Sequence, residues 1–285
     1  MTVTHRVRPP ARTRSASSRR GGRIIFGLVC LLLALLPAAR AQQPFVTDDA
    51  DVTDKGKFHL EFSNEFDLLQ PAAFPGRRQN TATVELDYGL LKDVELDVQA
   101  PLIAIYNARG TSPRTAFGLG DTRLSVKYNF LKERDGSRWP ALAASFGVEL
   151  PTGDADIQLG SGVTDYILNG VVQKALTKRT TWRVNGGVIF SGNTKTGAVG
   201  VGTRGPVYTG GTSFVRKFTH RLDLGVEVTG AFTGSADPGQ RQLQAQVGGH
   251  FRPRGDKLSI DFGVIGGRFD ASPRLGAQLG FSLDF

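Results

Sequence analysis

Cysteine is almost absent from this chain of 285 residues, which contains one, Cys30. Cys30 lies in an amino-terminal segment that we expect to be removed, so the mature protein has neither a disulfide nor a thiolate metal site. Only His59, His220 and His250 remain beyond that segment. The choice of a catalytic base among the histidines is therefore narrow.

The first 41 residues have the three-part layout of a secretory signal. Met1 to Arg23 contains seven arginines and no acidic residue, the apolar run 24–36 follows, and Ala39-Arg40-Ala41 offers a cleavage site. The apolar run has thirteen residues. A spanning helix needs roughly 20, so we predict a signal peptide over 1–41 rather than a membrane anchor.

The positive net charge of the chain belongs to this segment. All 26 acidic residues lie beyond Ala41, with 27 of the 35 basic ones, so the mature chain carries a formal charge of +1 instead of +9. The basic balance therefore gives no reason to expect a nucleic-acid partner.

The rest of the chain lacks any segment as long and apolar as a spanning helix, and shows strand-type alternation over almost its whole length. In one example, Val84, Leu86 and Tyr88 alternate with Glu85 and Asp87. We predict twelve strands, near residues 56–68, 81–90, 94–102, 120–130, 139–150, 163–174, 181–191, 207–216, 221–232, 241–251, 257–265 and 275–285.

The connections and the carboxyl terminus favour a membrane barrel. Long connections rich in Gly, Pro and Ser alternate with mostly short turns, as in outer-membrane barrels. Outward faces end in aromatic residues, which suits interfacial belts better than the core of a soluble β-sandwich, the rival fold. The last strand carries the terminal signal of such barrels, Phe281, Leu283 and Phe285. We predict an all-β, transmembrane, antiparallel up-and-down β-barrel of about 12 strands over 56–285, after a periplasmic leader over 42–55.

Several short motifs, in order, resemble the transporter family named for the meta-cleavage pathway of phenol degradation. The resemblance implies an outer-membrane barrel that passes small molecules, with aromatic compounds as candidates. The motifs are Pro44-Phe45-Val46-Thr47-Asp48-Asp49-Ala50, Gly118-Leu119-Gly120-Asp121, Lys127-Tyr128, Leu150-Pro151-Thr152-Gly153-Asp154, Gly160-Ser161-Gly162, Asp165 and Trp182-Arg183-Val184-Asn185-Gly186-Gly187.

The charged positions of the predicted inner faces are the candidate lumen-lining residues. Carboxylates on the second and third strands would face one another, which is destabilising unless Arg123, Lys127, a shared proton or a bound cation offsets them. They form either a salt-bridge network that rigidifies or plugs the barrel, or a constriction that favours cations. The candidates are Glu85, Asp87, Glu95, Asp97, Arg123, Lys127, Glu149, Asp165, Arg183, Asp223, Glu227 and Asp261.

Small residues share the predicted inner faces. Twelve strands lie between the barrels that side chains fill and those that leave a water channel. The small residues leave space along one wall, or else relieve close backbone contacts. They are Ala143, Ser145, Gly147, Gly187, Gly225, Gly248 and Gly263.

Two acidic groups have alternative interpretations. Asp48, Asp49, Asp51 and Asp54 either belong to a solvated leader or bind a divalent cation, and Asp154 and Asp156 are typical of turns. The run 200–205 matches the dinucleotide string GxGxxG without a strand-to-helix context, so we expect an external loop and no cofactor.

The sequence therefore predicts a passive outer-membrane channel or transporter for small solutes. The alternatives are a structural or adhesive barrel with a closed lumen and, more remotely, a lipid hydrolase. Ser63 shares the inner face with His59, but it lies four residues away, too far along an extended strand for the direct contact that a nucleophile and its base need. We expect no enzymatic activity and assign no catalytic or metal-binding residue. The expected partners are outer-membrane lipid, the barrel-insertion machinery acting through the last strand, and the solutes.

Overall fold

The computed structural model of the chain describes residues 44–191, 206–233, 241–253 and 257–285. The expected signal peptide over 1–41 and the glycine-rich run 200–205 lie outside these ranges. Within them, no helix combines the length and the apolar character that crossing a membrane requires.

Thirteen strands form one antiparallel sheet that closes on itself. The pairing of β1 with β13 and of β2 with β3 closes the sheet. Phe58, where β1 begins, is hydrogen-bonded to the last residue, Phe285, and the rim that they share is called the terminal rim. The strands are β1 (Phe58–Leu68), β2 (Gly76–Leu91), β3 (Val94–Asn107), β4 (Thr115–Leu119), β5 (Thr122–Leu131), β6 (Ala141–Leu150), β7 (Asp165–Thr177), β8 (Thr180–Ser191), β9 (Val207–Lys217), β10 (Leu222–Thr233), β11 (Gln242–Phe251), β12 (Leu258–Gly267) and β13 (Leu275–Asp284).

β4 and β5 are two halves of one position in the barrel wall. Both pair with β3, β5 over residues 94–99 and β4 over residues 102–106. The break between them holds Asp121, whose carboxylate accepts the backbone N–H groups of Gly153 (3.0 Å) and Ser161 (2.5 Å) from the next loop. The barrel therefore has twelve positions around its wall. The predicted all-β barrel of about 12 strands is confirmed, with the fourth strand divided.

Strand structure extends further than the alternation of residues predicted. Residues 76–80, in β2, and 115–119, which form β4, were assigned to loops from sequence and are strand. The added strand is stabilised from inside, because Ile103 and Ile105 are buried with Ala116 and Leu159. Residues 77–80 of β2 are all polar, so no alternation of apolar and polar side chains marked them as strand.

The polarity of the barrel is the inverse of that of a soluble protein. Large apolar side chains are exposed on the outer face, with Leu279 61% and Val264 56% exposed, whereas Glu61 and Asp261 are 2% and 1% exposed inside. A soluble sandwich would bury the apolar face. The outer face is therefore suited to lipid and the inner face to polar contents.

Aromatic rings cluster on the outer face at both rims. At the terminal rim, Phe58 packs against Tyr88 and Phe285, with ring centroids 4.8 and 5.6 Å apart. At the opposite rim, called the loop rim because the β1–β2 connection lies there, Tyr208 packs against Phe232 with ring centroids 5.8 Å apart. Two belts of this kind are what membrane barrels place at the two interfaces.

Candidate functional site

The candidate residues predicted from sequence point into the barrel. Alternation along each strand puts them on the face opposite the exposed apolar side chains. The strand registers bring Asp87 opposite Asp97, Arg123 opposite Glu149, and Glu149 opposite Asp165. Their role as the lining of a solute pathway stays a prediction.

The carboxylates of β2 and β3 form a tight cluster. One oxygen each of Glu85, Asp87 and Asp97 lies within 4.8 Å of the others. The Gln99 side chain donates to Glu85 over 2.8 Å, and the Ser125 hydroxyl donates to Asp97 over 2.5 Å. The hairpin places these three acids together, whereas Glu95 faces Gly89 instead of an acid, and neutral donors stabilise part of the charge.

Basic groups of the neighbouring strands also approach this acidic wall. Lys127 on β5 lies 3.1 Å from Glu95. His59 on β1 contacts Glu61 at 2.9 Å and is also hydrogen-bonded to Asp284. Buried charges need such partners to offset their desolvation, so the wall is a network of ion pairs as well as an acidic surface.

On the same side of the barrel, closer to the loop rim, Arg123 forms an ion pair with Glu149 at 3.0 Å. On the other side of the barrel, His250 pairs with Asp261 at 2.9 Å, and Arg252 with Asp223 at 2.7 Å. Hydrogen-bonded pairs of a basic residue and a carboxylate therefore lie on both sides of the lumen.

The histidines and serines of the described lumen are not arranged as a nucleophile and its base. His59 is held by two carboxylates, and the Ser259 hydroxyl donates to Asp261 (2.7 Å) beside His250. A serine hydrolase requires a hydrogen bond between its serine and its histidine. Within the described ranges, neither the His59 ring nor the His250 ring is hydrogen-bonded to a serine.

The structure corrects one expectation: residues 44–54 are not a solvated leader, because they run inside the barrel. We name them the inner segment. The Gln246 side chain donates to the carbonyl of Pro44 over 2.6 Å. Glu227 accepts the backbone N–H groups of Val46 (3.0 Å) and Thr47 (2.5 Å), as well as the Thr47 hydroxyl.

Glycines of the wall make room for the inner segment. A Cβ on Gly225 would stand 2.7 Å from the Phe45 ring, one on Gly248 2.9 Å from the Pro44 ring, and one on Gly211 3.0 Å from the Thr47 methyl. Two of these glycines, at 225 and 248, were among the small residues expected to leave space. The space exists, and the protein's own chain occupies it.

The aspartates of the inner segment pair with bases of the wall. Asp48 lies 3.1 Å from Lys127, and Asp49 lies 3.2 Å from Arg183. Burial raises the pKa of Asp48 to about 6, although the nearby Lys127 acts to lower it. The sequence missed these pairs because isolated aspartates before the first strand are typical of solvated segments.

Backbone groups of the inner segment are also bound. Asn129 donates to the carbonyl of Ala50, and the N–H of Thr53 donates to Glu95 over 2.6 Å. The Asn185 amide, in the orientation that satisfies both of its groups, bonds the N–H (3.0 Å) and the carbonyl (3.2 Å) of Asp48. The segment is thus held from several sides of the barrel.

Residues of the inner segment line two cavities. The larger, of about 500 Å³, has Phe45, Val46, Thr47 and Asp48 along one side and extends along the inner wall away from the terminal rim. The smaller, of about 70 Å³, lies against residues 49–54 near Asp284. The segment therefore occupies the part of the lumen that lies beside both cavities.

The residues 48–285 match the model of a protein family described as "Putative MetA-pathway of phenol degradation". The chain belongs to this family. The resemblance inferred from short motifs is confirmed, and the match includes part of the inner segment as well as the barrel. A search of curated proteins gives no significant match.

Solved structures share the fold at low sequence identity. The COG4313 outer membrane channel from Pseudomonas putida F1 is similar with a TM-score of 0.67 and 14% identity, over 83% of this chain and 98% of that one. The NanC porin is similar with a TM-score of 0.53 and 7% identity, over 79% and 98%. This family member therefore has the fold of an outer-membrane β-barrel.

Proposed function

We propose that this family member is a passive outer-membrane channel for small solutes, narrowed by its own inner segment. The observation that carries the proposal is the polar cavity of about 500 Å³ inside a barrel with an apolar outer face. The COG4313 protein of the same fold is described as an outer membrane channel, which supports the same activity here.

The size of the lumen limits the solutes. With the inner segment in place, the cavity has room for a molecule with few rings and not for a large oligomer. Its lining includes carboxylates as well as Lys127 and Arg123, so hydroxyl and carboxyl groups of a solute find both donors and acceptors. The family description refers to phenol degradation, and small hydroxylated aromatic compounds fit this lining.

The inner segment acts as a removable constriction in this proposal. Its contacts are hydrogen bonds and ion pairs to the wall, together with the burial of Phe45. Hydrogen bonds to charged groups each contribute about 1.5 to 3 kcal/mol net, so every such bond adds to the free-energy cost of releasing the segment. Conduction would then alternate between a narrow and a wide state.

Single-channel recording tests the proposal. The processed chain, refolded into a planar bilayer in KCl, should give discrete current steps, and proteoliposomes should admit benzoate-sized anions and small amines while excluding trisaccharides. Bilayers that receive heat-unfolded protein serve as the control. If the refolded barrel adds no current to that of the control bilayer, the lumen is closed and the barrel is structural or adhesive.

A further inference from the structure

A cluster of arginines marks the outer face of the barrel at the loop rim. Arg77, Arg78, Arg109 and Arg114 line one surface depression of about 520 Å³. All four side chains are exposed. The cluster takes no part in the lumen, so the proposed channel leaves it without a function.

No acidic residue balances this cluster in the surrounding sequence. Neither 69–84 nor 98–120 contains an Asp or a Glu. The acidic residue of β1 at this rim, Asp67, is 6% exposed and belongs to the inner face. Four guanidinium groups therefore share one concave surface without a lining carboxylate, and such a surface attracts anions.

A β-bulge brings two of the four side chains together. The β2–β3 register shifts between Gly76 and Arg78, so Arg77 has no partner on β3. A bulge redirects the side chains beside it. Arg77 and Arg78, consecutive in sequence, both remain exposed and both line the depression. Adjacent guanidinium groups of this kind suit the oxygens of a phosphate group.

The depth of the cluster corresponds to a membrane interface. Arg78 is in register with Leu68 and Tyr106 on the outer face, and Tyr88 of the opposite aromatic belt is ten residues away along β2. Ten residues of a tilted strand rise by about 25 Å along the barrel axis, the height of the apolar band in such barrels.

Aromatic side chains complete the depression. Phe66 and Tyr106 line it together with the arginines, and both are exposed on the outer face, at 39% and 42%. Cations beside amphipathic rings at the lipid boundary match a ligand that is anionic at its head and apolar below it.

We propose that this depression binds the phosphorylated headgroup of a lipid in the outer leaflet. The guanidinium groups would contact the phosphate oxygens, and Phe66 and Tyr106 would pack against the sugar and the upper part of the acyl chains. Free phosphate offers the same anionic chemistry without the apolar portion, so the test must separate these two sources.

Native mass spectrometry of the detergent-solubilised, processed barrel separates them. The probes are bisphosphorylated lipid A, the same lipid after removal of both phosphates, and inorganic phosphate as a competitor. We expect lipid A to bind at least about tenfold more tightly than its dephosphorylated form, with little competition from equimolar phosphate.

The variant R77Q/R78Q/R109Q/R114Q should lose at least about tenfold in affinity for lipid A. The control R134Q/R138Q removes exposed arginines from the connection at the opposite rim and should bind as the parent does. Should the fourfold variant fail to fold, R77Q/R78Q and R109Q/R114Q are measured separately and each should lose part of the affinity.

Equal affinity of the parent and the charge-depleted variants for lipid A overturns the proposal, and so does complete displacement by equimolar inorganic phosphate. The variants should conduct as the parent does, because the cluster lies outside the lumen. Failure of the lipid site is therefore distinguishable from failure of the proposed channel.

Discussion

The carboxylate of Glu227 on β10 accepts hydrogen bonds from both the backbone N–H and the hydroxyl of Thr47, which precedes it by 180 residues. This contact anchors the inner segment to the far side of the barrel from the acidic β2–β3 hairpin. A substitution of Glu227 alone can therefore remove this attachment of the proposed constriction to the barrel wall.

Glu227→Gln should loosen the inner segment. Glutamine has one acceptor oxygen where the glutamate uses two, and its NH₂ group would face the N–H donors of Val46 and Thr47. The loss of charged hydrogen bonds should raise the occupancy of the wide conducting state by about tenfold or more. Single-channel recordings measure that occupancy directly.

Glu65→Gln is the matched control, since Glu65 lines the same cavity from β1, opposite Thr81 and Gln278. It should leave the occupancy of the wide state close to that of the parent. If both variants change the occupancy equally, the effect comes from lumenal charge and the anchoring role of Glu227 is wrong.

The pH should act on the inner segment through Asp48. Burial raises the pKa of this carboxyl to about 6 in the seated segment, against about 3.9 for an aspartate in solvent after release. The seated state therefore binds the proton more tightly. Lowering the pH through 6 stabilises seating, and raising it from 4 to 7 weakens seating by about 2 kcal/mol.

We expect the wide state to be less populated at pH 5 than at pH 7. Asp48→Asn should reduce this dependence, because an amide does not titrate in that range. Asp93→Asn, in the exposed β2–β3 turn beside Lys132, should retain it. A pH response in Asp48→Asn as steep as that of the parent would show that other groups control the seating.

The acidic cluster should set ion preference. Asp87→Asn combined with Asp97→Asn removes two of the three carboxylates whose oxygens lie within 4.8 Å of one another. Carboxylates at a constriction favour cations, so the permeability ratio of cation to anion should fall by at least about twofold. The reversal potential in a KCl gradient gives this ratio. Asp93→Asn is again the control, and a reversal potential unchanged in the double variant would make the cluster purely structural.

The barrel itself was predictable because lipid imposes a strict pattern. Outward positions are mostly apolar and inward positions mostly polar or small, with exceptions such as Ile103 and Ile105. Alternations such as Val84 to Tyr88 report this pattern position by position. The terminal run ending in Phe285 adds a second, independent indication. The divided fourth strand was not predictable, since its break depends on the bonds of Asp121 to a distant loop.

The inner segment could not be predicted from its own residues. Its length is short, it has no period, and its aspartates resemble those of solvated segments. The indications lay elsewhere. The glycines at positions 225 and 248, which are paired across the β10–β11 ladder, leave space on the inner wall. Lys127 and Arg183 lie on strands that contain no acidic residue. Those features leave room and charge for a segment inside the lumen without showing which part of the chain lies there.

The most direct test of the account is the single-channel conductance of a chain that lacks Pro44 to Val52. The barrel strands and their ladders are all retained in this variant. We predict that it refolds, conducts with a higher unitary current than the parent, and no longer switches between narrow and wide states. A unitary conductance and switching pattern identical to those of the parent would contradict the account, because the inner segment would then play no part in limiting the lumen.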